Sequence, residues 1–176
     1  MAGDTALLVI DVQVGMFREA NPVHRGKELL ETLRGLIARA RAGGVLVIYV
    51  QHSGAKTSFL AEGTPGWPIH PDIAPLPGDL IIHKRTPCSF CGTGLKEALD
   101  SRAIRNLVIA GIQSEMCVDT TTRSAFNFGY GVTLVEDAHT TFDRPYLPAE
   151  MISRHHSAVL GSWFAKLKKA REVSFQ

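Results

Sequence analysis

Three side chains with useful chemistry follow apolar segments of this sequence. Asp11 follows the segment TALLVI, Lys84 follows DLIIH, and Cys117 lies a few residues after NLVIAG. A thiol becomes a good nucleophile once a base removes its proton, and a carboxylate can accept that proton and later return it. An ammonium group stabilises both the thiolate and the carboxylate. The three residue types therefore predict a nucleophile, a general acid and base, and an electrostatic support.

The segment around Cys117 has the pattern of a strand, a turn and a helix. Residues 106–111 are nearly all apolar and predict a buried parallel strand, residues 112–116 predict a turn, and residues 117–129 predict a helix. Backbone N–H groups and the positive end of a helix dipole favour a thiolate over a thiol. They also provide hydrogen-bond donors for an oxyanion. We therefore expect an ionised sulfur at the beginning of this helix.

Apolar runs and amphipathic segments alternate along the whole chain. The pattern predicts strands at residues 5–10, 45–50, 79–83, 107–110, 131–136 and 172–175, and helices at residues 25–42, 95–101, 117–129 and 149–169. Near-continuous apolar strands separated by helices indicate a parallel sheet covered on both faces. The predicted fold is α/β: a three-layer α-β-α arrangement of Rossmann-like type, with about six mostly parallel strands in the order 3-2-1-4-5-6. We expect a single domain over residues 1–176.

This strand order would bring the reactive residues to one edge of the sheet. Ligands of open parallel sheets bind beyond the carboxyl ends of the strands, near the point where the strand order reverses. Asp11 follows strand one and Cys117 follows strand four, which flank that point. Lys84 follows strand three and must use its long side chain to reach the same crevice. Taken singly, each residue also fits a structural role as a turn aspartate, a solvated lysine or a buried cysteine.

Other segments predict the walls of a pocket. The connection over residues 52–78 is too long for a plain turn and predicts either a pocket wall or a cover for one sheet edge. Phe17, Trp67 and Phe90 are candidates for the pocket walls, from their positions alone. His139 follows the fifth strand near the same edge and fits either a pocket-lining or a loop role.

Composition excludes several classes of partner. The net charge of +2 over 176 residues gives no reason to expect nucleic acid or an anionic membrane as a partner. No apolar stretch approaches membrane-spanning length, and the N-terminal residues lack the pattern of a signal peptide. Three cysteines, an odd number, favour reduced thiols and a cytoplasmic location. Cys88 and Cys91 form a C-x-x-C spacing without a second pair, so we interpret them as packing residues. The basic segment 166–171 is interpreted as the end of a helix.

Four stretches of the chain identify a family. They are LVIDVQ at residues 8–13, HK at 83–84 followed by SFCGTGL at 89–95, the long segment 108–125 that contains Cys117, and TLVEDA at 133–138. Together they span nearly the whole chain, and their combination resembles the isochorismatase-like cysteine hydrolases. This superfamily also contains nicotinamidase and N-carbamoylsarcosine amidase. The resemblance implies the isochorismatase-like variant of the Rossmann-like fold.

The resemblance also implies a set of catalytic residues. The Asp–Lys–Cys triad of the family maps onto Asp11, Lys84 and Cys117. A cis peptide bond is implied between Ile112 and Gln113, and the backbone amides of Gln113 and Cys117 are implied as the oxyanion hole. Members of the family are typically dimers or tetramers, so a homodimer or homotetramer is expected.

The chain departs from the metal-binding nicotinamidase branch of the family. His52 matches the first histidine of that branch, and the segment WPIH ending at His70 matches the last. Val50 stands where that branch has an aspartate, and residues 53–61 contain no histidine. Two imidazoles without a carboxylate or a third ligand make a poor zinc or iron site. We therefore predict no metal and no cofactor, with His52 and His70 as polar pocket or hydrogen-bonding residues.

These observations predict a metal-independent cysteine hydrolase that acts on a small molecule. The expected reaction is cleavage of a small amide, ureide or related C–N bond through a thioester-type intermediate. One alternative is an isochorismatase, which hydrolyses a vinyl ether and does not use the cysteine as a nucleophile in the same way. Another alternative is a non-catalytic binding protein that keeps the fold. A nucleotide-binding module is disfavoured because the first strand is not followed by a Gly-x-Gly-x-x-Gly turn.

Overall fold

The computed structural model describes residues 2–175, and its centre is one parallel sheet of six strands. The strands are paired in the order β3-β2-β1-β4-β5-β6, which confirms the predicted order. All five neighbouring pairs are parallel. Their bounds are β1 Thr5–Ile10, β2 Leu46–His52, β3 Leu80–Lys84, β4 Asn106–Ile112, β5 Gly131–Thr140 and β6 Lys166–Lys168.

Helices cover both faces of this sheet. They are α1 Gly26–Ala42, α2 Leu95–Asp100, α3 Asp119–Asn127 and α4 Ala149–Trp163. Successive side chains of a strand point to opposite faces. Leu7 and Val9 accordingly pack in one core cluster with α1, while Leu8 and Ile10 pack in a second cluster with residues of the other three helices. Burial on both faces explains why the strands are near-continuous apolar runs.

The central strands β1 and β4 lie unusually close at their carboxyl ends. Gly111 pairs with Ile10 and has a φ of +128°. A Cβ atom at Gly111 would lie 2.1 Å from the carbonyl oxygen of Ile10, so no larger residue fits. The pairing of β4 with β5 shifts register between Ile109 and Gly111. This close approach brings the segments that follow β1 and β4 next to each other.

The C-terminal part of the chain differs from the prediction. The predicted helix over residues 149–169 ends at Trp163, and the sixth strand is at Lys166–Lys168, not at residues 172–175. The helix stops where the N–H groups of Phe164 and Ala165 both donate to the carbonyl oxygen of Leu160. The chain then reverses, so the basic segment 166–171 is an edge strand followed by a 3₁₀ turn and not the end of a helix. Lysines on an edge strand discourage further strand pairing.

No helix among residues 2–175 is long and apolar enough to cross a membrane.

Candidate active site

Asp11 and Lys84 form a buried ion pair at the carboxyl edge of the sheet. Asp11 follows β1 directly, in a left-handed conformation with a φ of 52°, and its N–H donates to the carbonyl oxygen of Val50. Lys84 is the last residue of β3. Its Nζ lies 2.6 Å from Asp11 Oδ2, and both side chains are fully buried. The lysine side chain therefore reaches from the end of β3 to the crevice beyond β1, as the strand order required.

Cys117 lies on the other side of the lysine ammonium. It belongs to a π-helical turn at Ser114–Val118, between β4 and α3. Lys84 Nζ is 3.2 Å from Cys117 Sγ, and it also donates to the carbonyl oxygen of Thr86 and approaches Nδ1 of His52 at 3.4 Å. The sulfur is half-buried. The structure thus brings the three predicted catalytic residues together around one ammonium group.

The pKa of Cys117 differs from the prediction that its sulfur is ionised. Burial and the nearby Asp11 carboxylate raise the pKa of Cys117 to about 12, and Lys84 opposes this rise only in part. The expectation of an ionised sulfur is therefore wrong. Cys117 stands inside the π-helical turn, two residues before α3, and burial together with the Asp11 carboxylate outweighs the helix dipole. These influences favour the thiol over the thiolate.

The two charged partners are also shifted from their ordinary values. Burial raises the pKa of Asp11, although the Lys84 ammonium pulls it downward. Burial opposes the charge on Lys84, but Asp11 and Cys117 hold the pKa of the lysine above its ordinary value. A carboxylate with a raised pKa accepts a proton more readily than an ordinary aspartate. Asp11 is therefore suited to take the thiol proton when a substrate is bound.

The backbone before Cys117 has the conformation that the resemblance implied. The peptide bond between Ile112 and Gln113 is cis. The N–H groups of Met116 and Val118, on either side of Cys117, both donate to the carbonyl oxygen of Gln113 at 3.1 Å. These bonds fix the turn that carries the sulfur. The amides of Gln113 and Cys117 stay predicted as oxyanion donors.

A cavity of about 500 Å³ opens beside Lys84. Trp67 forms one of its walls, stacks on His83 with ring centroids 5.8 Å apart, and donates from its indole N–H to Ser53 Oγ at 2.9 Å. The volume suits a small molecule. The remaining lining residues come from the loop after β2 and the segment after β3: Glu62, Arg85, Thr86, Cys91 and Gly92.

Two of the five predicted pocket residues lie at this site. Trp67 lines the cavity, and His52 contacts the lysine ammonium. Burial and Lys84 lower the pKa of His52, so the neutral imidazole can accept a hydrogen bond from the ammonium. Phe17 and His70 instead contact each other, with ring centroids 4.8 Å apart, and do not line the cavity.

Phe90 is buried in the second core cluster and also does not line the cavity. Its ring stacks with that of Tyr130 at 6.0 Å. His70 accepts a hydrogen bond from the N–H of Asp72 and so begins a short 3₁₀ helix. Apolar or aromatic character alone does not distinguish a residue that lines the cavity from one that packs in the core, because both kinds of residue occur in the segments that follow the strands.

Gln13 was given no role from the sequence, but its side chain holds two segments of the site in place. Its fully buried amide donates to the carbonyl oxygens of His52 at 3.0 Å and Trp67 at 2.6 Å, and accepts from the N–H of His52 at 2.9 Å. It therefore positions both the imidazole beside Lys84 and the indole wall. The sequence hint for this role was a glutamine directly after an apolar residue, at the end of the LVIDVQ segment.

The residues do not fit the metal site of the nicotinamidase branch. The Nδ1 atom of His52 faces the ammonium of Lys84, and Val50 is buried in the second core cluster. His70 lies against Phe17 and Asp72. In the part of the chain that the structure describes, no group of three His, Cys, Asp or Glu residues is placed to hold a metal ion.

Comparisons with known proteins agree with this fold. The isochorismatase domain model matches residues 5–161. A streptothricin hydrolase from Streptomyces noursei is 38% identical over 97% of this chain, and the chain spans 64% of that protein's length. A ureidoacrylate amidohydrolase from Agrobacterium fabrum is 29% identical over 77% of this chain and 75% of its own length.

A solved structure gives the same result for the fold. A putative isochorismatase hydrolase from Oleispira antarctica has a TM-score of 0.92 and 32% identity, and the alignment covers 98% of this chain and 96% of that chain. The sheet order, the family-model match and these relatives all point to one assignment. The chain belongs to the isochorismatase family of hydrolases.

Proposed function

We propose that this protein is a cysteine hydrolase that cleaves the C–N bond of a small amide or ureide. The observation that carries the proposal is the position of one ammonium group. Lys84 Nζ lies 2.6 Å from Asp11 Oδ2 and 3.2 Å from Cys117 Sγ, beside a cavity of about 500 Å³. A nucleophile, a proton acceptor and a cation thus meet next to a cavity whose wall includes Lys84.

The first half of the reaction forms a thioester and releases an amine. Asp11 takes the thiol proton while the sulfur of Cys117 attacks the substrate carbonyl carbon, and the C–S bond forms. The oxygen of the tetrahedral intermediate becomes negative, and the amides of Gln113 and Cys117 are proposed to stabilise it. Such donors are each worth about 3–4 kcal/mol in comparable sites. The C–N bond then breaks as Asp11 returns the proton to the leaving nitrogen.

The second half regenerates the enzyme. Asp11, again a carboxylate, removes a proton from a water molecule that attacks the thioester carbon. The C–S bond breaks, and the sulfur regains a proton from Asp11 as the acid product leaves. Lys84 stays protonated throughout, because its pKa is raised, and it limits the cost of each negative charge on the sulfur and the carboxylate.

The relatives favour amide chemistry over vinyl ether hydrolysis. The names of the two relatives described above denote a streptothricin hydrolase and a ureidoacrylate amidohydrolase. Cleavage of an amide or ureide by this triad needs a nucleophile, and the geometry around Cys117 supplies one. We therefore propose streptothricin and ureido acids as the first substrates to test.

An amine-release screen tests the proposal. The purified protein is incubated with streptothricin, ureidoacrylate, simple primary amides and carbamoyl compounds, and intact-mass spectrometry follows an acyl adduct on Cys117. We expect turnover of at least one compound and loss of both turnover and adduct in Cys117→Ala. Cys88→Ala is the matched control, since this half-buried thiol contacts Ser124 of α3 and not the ammonium.

Two results would contradict the proposal. The first is inertness toward the whole panel together with no labelling of Cys117. The second is hydrolysis of isochorismate that Cys117→Ala leaves unchanged, which would favour the vinyl ether reaction.

A further inference from the structure

His139 is a buried titratable residue that the proposed reaction does not use. It lies in β5 and is buried, with 6% of its surface exposed. Its Nδ1 atom is 2.7 Å from Ser114 Oγ, and its Nε2 atom is 2.9 Å from Ser157 Oγ in α4. Both ring nitrogens therefore have a hydroxyl partner, and the ring is held in one orientation.

Ser114 connects this histidine to the nucleophile. It is the first residue of the π-helical turn that carries Cys117, and it directly follows Gln113. Its hydroxyl also lies 2.9 Å from Ser153 Oγ on α4. A displacement of Ser114 would therefore move the proposed oxyanion amides and the sulfur together.

Other contacts hold the rest of the turn: the Glu115 carboxylate accepts from Thr141 Oγ1 at 2.8 Å and from the Arg144 guanidinium at 2.7 Å. Of its five residues, Ser114 and Val118 are buried, whereas Met116 is 43% exposed and Cys117 is half-buried. Val118 is fixed by packing in the second core cluster. At the other end, the side chain of Ser114 is fixed by hydrogen bonds rather than by apolar packing. The bond to His139 is the shorter of the two.

The imidazole stays neutral at physiological pH. Burial, with a smaller contribution from His156, lowers the pKa of His139 to about 4. A neutral imidazole has one donor and one acceptor nitrogen, which suits two hydroxyl partners that can each donate or accept. The contacts therefore do not change over the range in which most enzymes work.

We propose that His139 is a positioning residue that sets the reactivity of Cys117 through its hydrogen bond to Ser114. The inference rests on the proposed function, because it assigns the sulfur as the nucleophile. His139 touches neither the sulfur nor the cavity beside Lys84. It acts by fixing the position of the turn that carries Cys117 and takes no part in making or breaking bonds.

Two substitutions of His139 separate positioning from mere packing. In His139→Asn the side-chain amide can take the place of Nδ1 and keep the contact with Ser114. In His139→Gln the longer amide can take the place of Nε2 and keep the contact with Ser157 instead. Both variants lose one of the two contacts. If the inference is right, only the Gln variant loses the contact that matters for the sulfur.

The measurement is the rate of alkylation of Cys117 by iodoacetamide, with the modified cysteine identified by peptide mass. We expect a rate at least tenfold lower in His139→Gln and within threefold of the wild-type rate in His139→Asn. Ser114→Ala is expected to behave like the Gln variant, and Ser157→Ala like the Asn variant. With a substrate in hand, the loss is expected in kcat and not in KM. Thermal unfolding of all four variants checks that they are folded.

The outcomes distinguish this inference from the proposed function. Equal alkylation rates in the Gln and Asn variants, with Ser114→Ala at the wild-type rate, would overturn the positioning role even if the protein hydrolyses amides. If the wild type releases no amine from any substrate but the two variants still differ tenfold, the positioning role stands and the proposed reaction fails. Should His139→Gln not fold, the serine pair provides the same comparison.

Discussion

Two polar clusters lie at the carboxyl edge of the sheet, and they differ in charge. The reactive cluster consists of Asp11, Lys84 and Cys117, and the pKa of each member is raised by burial or by its neighbours. The histidine–serine cluster consists of His139 with Ser114 and Ser157, and it is neutral. Protons can move within the first cluster because an acid and a base are in contact. The second cluster keeps one set of hydrogen bonds, so it is suited to hold backbone in place.

The largest effect is expected from removing the charge of Asp11, and it has opposite signs in two assays. Asp11→Asn removes the carboxylate that raises the pKa of Cys117, so the thiol should ionise more easily and react faster with iodoacetamide at pH 8. Amide hydrolysis should fall by about a thousandfold or more, because no group remains to return a proton to the leaving nitrogen. Side-by-side alkylation and turnover assays check this. Turnover that Asp11→Asn leaves unchanged would mean that Asp11 does not act as the proton carrier.

The second prediction concerns stability and the buried ion pair. Lys84→Met leaves the Asp11 carboxylate buried without its cation, which typically costs about 3–5 kcal/mol of unfolding free energy. The double variant Asp11→Asn/Lys84→Met removes both charges, and asparagine tolerates the left-handed conformation at position 11. We expect the double variant to be more stable than Lys84→Met alone in urea denaturation, while both stay inactive. The opposite order of stability would show that the unpaired carboxylate of Asp11 is not the cause of the loss in Lys84→Met.

The sequence predicted the reactive cluster better than the histidine–serine cluster. Asp11, Lys84 and Cys117 each follow an apolar strand, and a parallel sheet brings the ends of its strands to one edge, so their meeting follows from topology. His139 also belongs to β5, but its partners are serines from a turn and a helix. Serines at those positions carry no pattern that distinguishes a buried hydrogen bond from a solvated side chain.

Errors in the predicted elements have similar local causes. β5 extends to Thr140, beyond the predicted end at residue 136, because the strand continues past the register shift between Ile109 and Gly111, which the apolar pattern does not show. The predicted sixth strand over residues 172–175 contains Val173 and Phe175, which are buried in the first core cluster without joining the sheet. Burial made those residues apolar, and an apolar run alone cannot tell an edge strand from a packed tail.

The third prediction concerns the pH dependence of stability, to which His139 and Asp11 contribute with opposite signs. The pKa of His139 in the folded state, about 4, lies below its ordinary value of 6.5, so the unfolded chain takes up a proton first as the pH falls. This group therefore lowers stability as the pH drops from about 6.5 to about 4, by roughly 3 kcal/mol in total, and adds no further loss below that range. Asp11 acts in the opposite direction, because its raised pKa makes the folded state bind a proton more tightly.

Urea denaturation between pH 4 and pH 7 separates these two contributions. His139→Asn should be less sensitive to acid than the wild type over this interval, because the variant carries no imidazole at that position. An equal dependence on pH in the two proteins would show that His139 does not titrate in the way its burial implies.

The smallest effect is expected at the cavity wall, which lies outside both clusters. Trp67→Phe keeps an aromatic ring beside His83 but removes the indole N–H that donates to Ser53 Oγ. A single neutral hydrogen bond contributes about 1 kcal/mol, and this one holds the wall in place, so its loss should raise KM by at most about fivefold. The iodoacetamide rate of Cys117 should stay near the wild-type rate, since the indole does not contact the lysine ammonium. A fall in kcat with unchanged KM would instead connect the wall to the reactive cluster, through the amide of Gln13 that bonds both Trp67 and His52.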